Sequence, residues 1–273
     1  MFNKSYIRWI LAILITLSAA TYQRLTGPTY PLRGKIKIED QQVSYKFTRS
    51  HGGEGGQLVS LALPDSGYHA VLKYTFYKSN KSWQFIEMKW KNGEFTAELP
   101  HQPPAGKLEY YIVISNESIK QSIPADRTVV TRFKGHVPSA ILIPHVLFMF
   151  LAMMLSNVSA LEAIANGKNL KLYTILTTLL LLAGGMILGP VVQKYAFGAL
   201  WTGIPFGYDL TDNKTLFAMI GWLLAFIQVV RKENSQARWW IVAAALLLLL
   251  VYSIPHSMMG SELDYQTMEV KTG

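Results

Sequence analysis

The chain of 273 residues contains no cysteine. Disulfide bonds and thiolate metal sites are therefore excluded, and any exported part must be held together by an apolar core. Charged residues are also scarce, at 16% of the sequence, and the net charge of +9 is spread along the chain without a dense basic run. This pattern argues against nucleic acid as a partner.

Recognisable catalytic motifs are missing too. The sequence has no G-x-S-x-G, no H-E-x-x-H and no glycine-rich phosphate loop. Asp209 and Asp212 could act as a general acid and base, but no nucleophile accompanies them. No enzymatic activity follows from this pattern, and a non-enzymatic role is favoured.

Half of the residues are hydrophobic, and many of them lie in five apolar runs. These runs cover 6–22, 138–155, 172–192, 216–230 and 239–254. Each is near the ~20 residues that a helix needs to cross a bilayer. The sequence therefore predicts an integral membrane protein whose first partner is membrane lipid.

The first run also has features of a cleaved signal peptide. Lys4 and Arg8 precede a short apolar stretch that ends in Ser18-Ala19-Ala20. We favour an uncleaved anchor, because the residues that follow are typical of a structured linker entering a domain.

The basic residues of the short loops predict the orientation. One side would carry Lys4, Arg8, Lys168, Lys171, Arg231, Lys232 and Arg238. On the other side Lys194 and Lys214 are offset by Asp209 and Asp212, and the C-terminal stretch is acidic. The positive-inside rule then predicts a bacterial inner-membrane protein with a cytoplasmic N-terminus. The polar region and the C-terminus would be external.

The predicted fold is a membrane α-helical bundle of five spans with an inserted, exported all-β sandwich. Residues 1–22 would form the anchor and 23–137 the sandwich. Residues 138–256 would form a four-helix membrane domain with an external loop at 193–215, followed by an external tail at 257–273.

The prediction of a sandwich depends on alternation between apolar and polar residues. The stretches AVLKYTFY, EFTAEL and KLEYYIVI each place apolar side chains on one face of a strand, with turn signals between them. Roughly seven such strands in one region are typical of an antiparallel sandwich. The stretch 82–115 resembles an immunoglobulin-like or fibronectin-III-like extracellular module, which implies a fold and no ligand.

The tripeptide Ile-Pro-His occurs twice, at 143–145 and 254–256. Under the predicted topology, His145 and His256 both lie near the external end of a helix. Pro144 and Pro255 lack a backbone N–H and disturb the adjoining turn, so each helix can bend and aim its histidine inward. The two histidines are therefore candidate ligands of one metal or cofactor, and two neutral imidazoles from facing helices suit a b-type heme.

The external loop between the histidines is rich in glycine and aromatic residues. Phe197-Gly-Ala-Leu-Trp201, then Tyr208-Asp209 and Asp212-Asn-Lys-Thr, resemble the W-G-x-x-W-x-W-D-x-K-E-T loop of the tryptophan-rich (WWD) heme-handling proteins of cytochrome c assembly. In that family the loop lies between two helices that each offer a histidine to heme. Phe197 and Tyr208 replace two of the family's tryptophans.

This resemblance implies a function in heme handling, electron transfer or cytochrome assembly, with heme b as cofactor. The implied cofactor-binding residues are His145, His256, Trp201, Tyr208, Asp209 and Lys214, with the two histidines as metal ligands. The overall layout also resembles a family of uncharacterised bacterial membrane proteins, and this second resemblance implies no activity.

Two alternatives remain open from the sequence. A non-catalytic accessory or assembly subunit of a cell-envelope complex needs no cofactor and a protein partner. Copper handling is the second alternative, because thioethers and imidazoles suit Cu(I), and Met149, Met153, Met258 and Met259 follow the two histidines.

Overall fold

The computed structural model describes residues 4–231, 236–256, 258 and 260–271. Its contacts divide the chain into two compact units. The helical unit comprises Met1–Pro28 and Val137–Gly260, and the β-rich unit comprises Thr29–His136 and Ser261–Lys271. The β-rich unit is thus assembled from two stretches that are far apart in the sequence.

The helical unit is built from long apolar helices. They are α1 (Ser5–Thr26), α2 (Ser139–Ile164), α3 (Leu170–Leu181), α4 (Gly189–Phe197), α5 (Leu210–Arg231) and α6 (Ala237–Ser253), with a π-helical segment (Leu182–Leu188) that joins α3 to α4. Within the described residues, four stretches are long and apolar enough to cross a membrane: Ser5–Thr26, Ser139–Ile164, Leu170–Phe197 and Leu210–Arg231. The fifth predicted run corresponds to α6, a shorter apolar helix of 17 residues.

Polar contacts at three levels join α1 to the rest of the helical unit. Near its start, Arg8 Nε lies 2.8 Å from Glu162 Oε2 of α2, and both side chains are buried. Halfway along, Asn157 Nδ2 donates to Thr16 Oγ1 at 3.0 Å. Near its end, Gln23 Nε2 donates to the carbonyl of Tyr252 in α6 at 2.7 Å. The first helix is therefore an integral element of this unit.

The β-rich unit contains short strands arranged in several sheets. The strands are β1 (Leu32–Ile38), β2 (Gln41–Phe47), β3 (Ser50–Gly52), β4 (Gln57–Ala62), β5 (His69–Phe76), β6 (Gln84–Glu87), β7 (Lys89–Lys91), β8 (Glu94–Leu99), β9 (Lys107–Ser115), β10 (Lys120–Ile123), β11 (Val129–Lys134), β12 (Glu262–Leu263) and β13 (Val270–Lys271). A six-stranded sheet has the order β3-β11-β9-β5-β6, with β10 also paired to β9. A three-stranded sheet has the order β4-β8-β7, and β1–β2 and β12–β13 form two-stranded sheets.

The predicted alternation is confirmed in β8 and along most of β5 and β9. In β9, Leu108, Tyr110, Ile112 and Ile114 are fully buried and Glu109 and Tyr111 are only partly buried, although Val113 is buried as well. The inward residues of the six-stranded and three-stranded sheets belong to one apolar cluster. Burial of each large side chain in such a cluster contributes about 1.5–3 kcal/mol, so this unit has an apolar core without cysteine.

Candidate cofactor site in the helical unit

The π-helical segment determines where His145 lies. A Cβ on Gly184 would be 2.9 Å from Phe148 Cβ and 3.2 Å from Met149 N, so only glycine allows α2 to approach this closely. The carbonyl of Gly184 accepts the backbone N–H of Gly189, five residues ahead, as expected in a π-helix. The same carbonyl also faces the imidazole of His145, at 2.9 Å from Nδ1.

This contact fixes the tautomer of His145. A carbonyl oxygen only accepts, so Nδ1 must carry the proton and donate it. The lone pair of the ring is then on Nε2. A backbone carbonyl bonded to one ring nitrogen is the arrangement that orients metal-ligating histidines, and His145 Nε2 therefore has the state of a ligand.

His256 has the opposite state. Gln23 Nε2 donates to the carbonyl of Tyr252 and also lies 2.9 Å from His256 Nδ1. The bond to Tyr252 identifies this Gln23 atom as the amide nitrogen, so His256 Nδ1 must accept its other proton. The proton of His256 is then on Nε2, and that nitrogen has no lone pair to offer a metal.

The loop between α4 and α5 is held by two side chains at the start of α5. Asp212 Oδ2 accepts from Thr202 N at 2.6 Å and from Gln193 Nε2 at 3.0 Å. Asn213 Oδ1 accepts from Ile204 N at 2.7 Å. A Cβ at Gly203 would lie 2.7 Å from that amide oxygen, which explains the glycine in this part of the loop.

Lys214 is buried, and its ammonium donates to the carbonyl of Ile254 at 2.6 Å. That carbonyl follows the last turn of α6, so the lysine joins the start of α5 to the end of α6. Ile254 is two residues before His256, so Lys214 is bonded close in sequence to one of the two predicted histidines.

The two aromatic residues of the predicted site are placed differently. Trp201 Nε1 donates to the carbonyl of Ile204 at 3.1 Å, so the indole is bonded within its own loop. Tyr208 is 75% exposed. Asp209 is buried and accepts from Thr211 N at 2.8 Å, a local capping bond at the start of α5.

The methionines predicted for copper differ in their burial. Met149 borders the π-helical segment, where its sulfur would lie 3.2 Å from a Cβ on Gly184. Met153 is buried, whereas Met258 is 58% exposed. Met259 is outside the described residues, as is Lys232 of the predicted basic side. In the part of the chain that the structure describes, no three His, Asp or Glu side chains are grouped so that they could hold a metal ion.

Sequence reasoning missed the partners that fix these groups. Gln23 lies in the last turns of α1, which ends at Thr26, whereas the sequence prediction places residue 23 in the sandwich, and nothing in its neighbourhood indicates a bond to His256. Glu162 carried a usable signal, because an acidic residue that continues an apolar run is costly in a membrane unless it is paired. Its partner Arg8 was assigned to the basic side of the membrane rather than to a buried ion pair.

No protein-family model matches this chain, and no curated protein and no solved structure is significantly similar to it.

Proposed function

We propose that this protein is a non-catalytic accessory or assembly subunit of a cell-envelope complex. In this proposal five membrane helices anchor an immunoglobulin-like sandwich on the outer side of a bacterial inner membrane. The observation that carries it is that polar groups in and beside the candidate site are bonded to other parts of the helical unit: His256 to Gln23, Lys214 to the Ile254 carbonyl, and Asp212 to Thr202 in the loop. Such bonds stabilise a scaffold and leave few groups for chemistry.

The β-rich unit supplies a surface for a protein partner. Strand β6 is the last strand of the six-stranded sheet, so within the described part of the chain one of its edges has no neighbouring strand. Phe85 on this strand is 71% exposed, and Trp83 just before it is 43% exposed. Exposed aromatic residues beside a free strand edge are typical of surfaces that other proteins cover.

The connectivity of the chain supports five membrane crossings. The stretch after α6 bonds to the β-rich unit, with Lys107 Nζ at 2.5 Å from Glu262 Oε1. Both must then be on one side of the membrane, which requires an even number of crossings between His136 and Ser261. The three long stretches α2, α3–α4 and α5 give an odd number of crossings, so α6 would have to be the fourth crossing. Its 17 residues are at the short end of the spanning range, about 17–25 residues.

The test compares two exposed apolar residues on different sheets. Native membranes in mild detergent should contain the protein in a complex larger than its own mass. Phe85→Ser should release it from that complex, whereas Leu58→Ser on β4, 65% exposed, should not. Neither residue is buried, so neither change should unfold the domain. Migration of the wild-type protein as a single chain, or equal behaviour of the two variants, would contradict the proposal.

Heme handling is the second candidate, and the state of His145 favours it. Its Nε2 carries a lone pair while Nδ1 is held by a carbonyl, and α2, which carries it, packs along α6. A bis-histidine heme would also need His256 Nε2, which becomes a ligand only when Gln23 releases Nδ1. The aromatic loop and Lys214 would contribute packing and charge to a bound porphyrin.

A hemin titration of the purified protein tests this second proposal. A Soret band should appear, His145→Ala should abolish it, and Gln23→Leu should strengthen it by freeing His256. His69→Ala, in the β-rich unit, is the matched control and should have no effect. The heme proposal would be abandoned if hemin gave no band, or if His145→Ala and His69→Ala behaved alike.

A further inference from the structure

The stretch that follows α6 returns to the β-rich unit and forms a small hairpin there. Strands β12 and β13 pair through Glu262 with Lys271 and Leu263 with Val270. Asp264 organises the turn between them, because its Oδ1 accepts from Gln266 N at 2.7 Å. The hairpin therefore has a defined shape of its own.

Three cations of the β-rich unit face the first residues of this hairpin. Glu262 Oε1 lies 2.5 Å from Lys107 Nζ, and Glu262 Oε2 lies 3.0 Å from Lys78 Nζ. Arg132 Nη2 donates to the carbonyl of Ser261 at 2.5 Å. Partial burial alone would raise the pKa of Glu262, but the bonds from both lysines hold it below its ordinary value. The carboxylate is therefore the form that fits this position.

The hairpin also contributes apolar and backbone contacts. Leu263 is buried, and its N–H donates to the carbonyl of Ala105 at 3.1 Å. The Tyr265 ring packs edge-on against Phe76 with 4.7 Å between centroids, and its hydroxyl donates to the carbonyl of Lys107. A Cβ at Gly106 would be 3.0 Å from that hydroxyl, so the glycine leaves room for the tyrosine.

We propose that residues 261–271 act as a strap that completes the β-rich unit after the last apolar helix has been inserted. The proposal rests on the membrane topology proposed above. Under that topology, the first part of the unit is exported before α2, and the strap is exported only once α6 has crossed. Final stability of the β-rich unit then depends on correct insertion of the whole helical unit.

Two acidic residues of the strap provide a matched pair of variants in the full chain. Glu262→Gln removes the charge that Lys107 and Lys78 bind, whereas Glu269→Gln changes an exposed carboxylate for which the structure shows no side-chain bond. In detergent, Glu262→Gln should lower the Tm of the β-rich unit by roughly 5 °C. Glu269→Gln should leave it unchanged, and an equal Tm for both variants would overturn the strap.

A second experiment tests the order of events. A variant that ends after Gly260 should have a β-rich unit that external protease degrades at least tenfold faster in spheroplasts. A synthetic peptide of residues 260–271 added outside should restore protection, and the same peptide with Glu262→Lys should not. Full protection without the peptide would overturn the proposal. If the peptide acts only from the cytoplasmic side of inverted vesicles, the strap stands and the proposed topology fails.

Discussion

Replacing Arg8 by methionine would leave Glu162 without its cation inside the helical unit. The side chains of Arg8 and Glu162 are only 8% and 2% exposed, so the small energies of surface ion pairs, about 0–1 kcal/mol, do not apply. Removing one partner of a buried pair costs about 3–5 kcal/mol, because the remaining charge is uncompensated. We expect Arg8→Met to lower the free energy of unfolding by that amount.

A double variant can show whether this loss of stability comes from the unpaired charge of Glu162. Its Oε1 accepts from Asn169 N at 3.1 Å, and a side chain on Gly167 would overlap the carboxylate. Adding Glu162→Gln to Arg8→Met removes the orphaned charge and keeps an oxygen for Asn169, so most of the stability should return. Glu162→Met alone should be worse than this double variant, because it removes the buried carboxylate beside Arg8 and the acceptor of the Asn169 N–H together.

Unfolding by a denaturing detergent in mixed micelles, followed by tryptophan fluorescence, measures these differences. Lys4→Met removes an exposed cation near the same end of α1 and should change stability by no more than about 0.5 kcal/mol. The reasoning is refuted if Arg8→Met is no worse than Lys4→Met. It is also refuted if the double variant is as unstable as Arg8→Met alone.

Three further predictions follow from other parts of the chain. Gly184→Ala should lower stability by about 1–3 kcal/mol, because its Cβ would lie 2.9 Å from a side-chain carbon and 3.2 Å from a backbone nitrogen of α2. Gly221→Ala is the control: its Cβ would lie 3.0 Å from the flexible end of a leucine, so it should be tolerated. Thermal unfolding of both variants measures the difference. Because the chain has no cysteine, Lys168→Cys and Gln266→Cys each introduce a single thiol that reports on which side of the membrane it lies. An impermeant maleimide added to intact spheroplasts should label Gln266→Cys and not Lys168→Cys. The reverse result would contradict the proposed orientation. A bond from a lysine lowers the pKa of Asp264 to about 2. The ionised Asp264 therefore stabilises the fold above its ordinary pKa of 3.8, and this stabilisation is lost as pH falls towards 2. Asp264→Asn should flatten that part of the pH dependence of Tm, and an unchanged profile would disprove the effect.

The strands could be predicted because their signal is local. Alternation in β5, β8 and β9 requires only that one face of each strand be buried, and residues such as Leu72, Phe95 and Ile112 are buried as expected. The long apolar helices could also be predicted, since length and composition decide whether a helix can cross a bilayer. These features depend on a few neighbouring residues.

The polar contacts could not be predicted, because their partners are distant in sequence. Arg8 meets Glu162, and Glu262 meets Lys107, across long stretches of intervening chain. Composition indicates that buried charges need partners, but it does not say which ones. The strap is the clearest case, because the acidic stretch after α6 has the composition of a solvated tail and instead contributes Leu263 and Glu262 to the β-rich unit.

The two Ile-Pro-His tripeptides are identical in sequence but differ in the hydrogen-bond partners of their histidines. The same three residues give His145 a carbonyl partner 39 positions away and His256 an amide partner 233 positions away. Because a carbonyl only accepts and the Gln23 amide here donates, the two imidazoles carry their protons on different nitrogens. Two identical tripeptides therefore place their histidines in different hydrogen-bonding states, with the lone pair on Nε2 in His145 and on Nδ1 in His256. A shared ligand must first break the bond between Gln23 and His256, which makes Gln23 the residue whose substitution separates the two proposed functions.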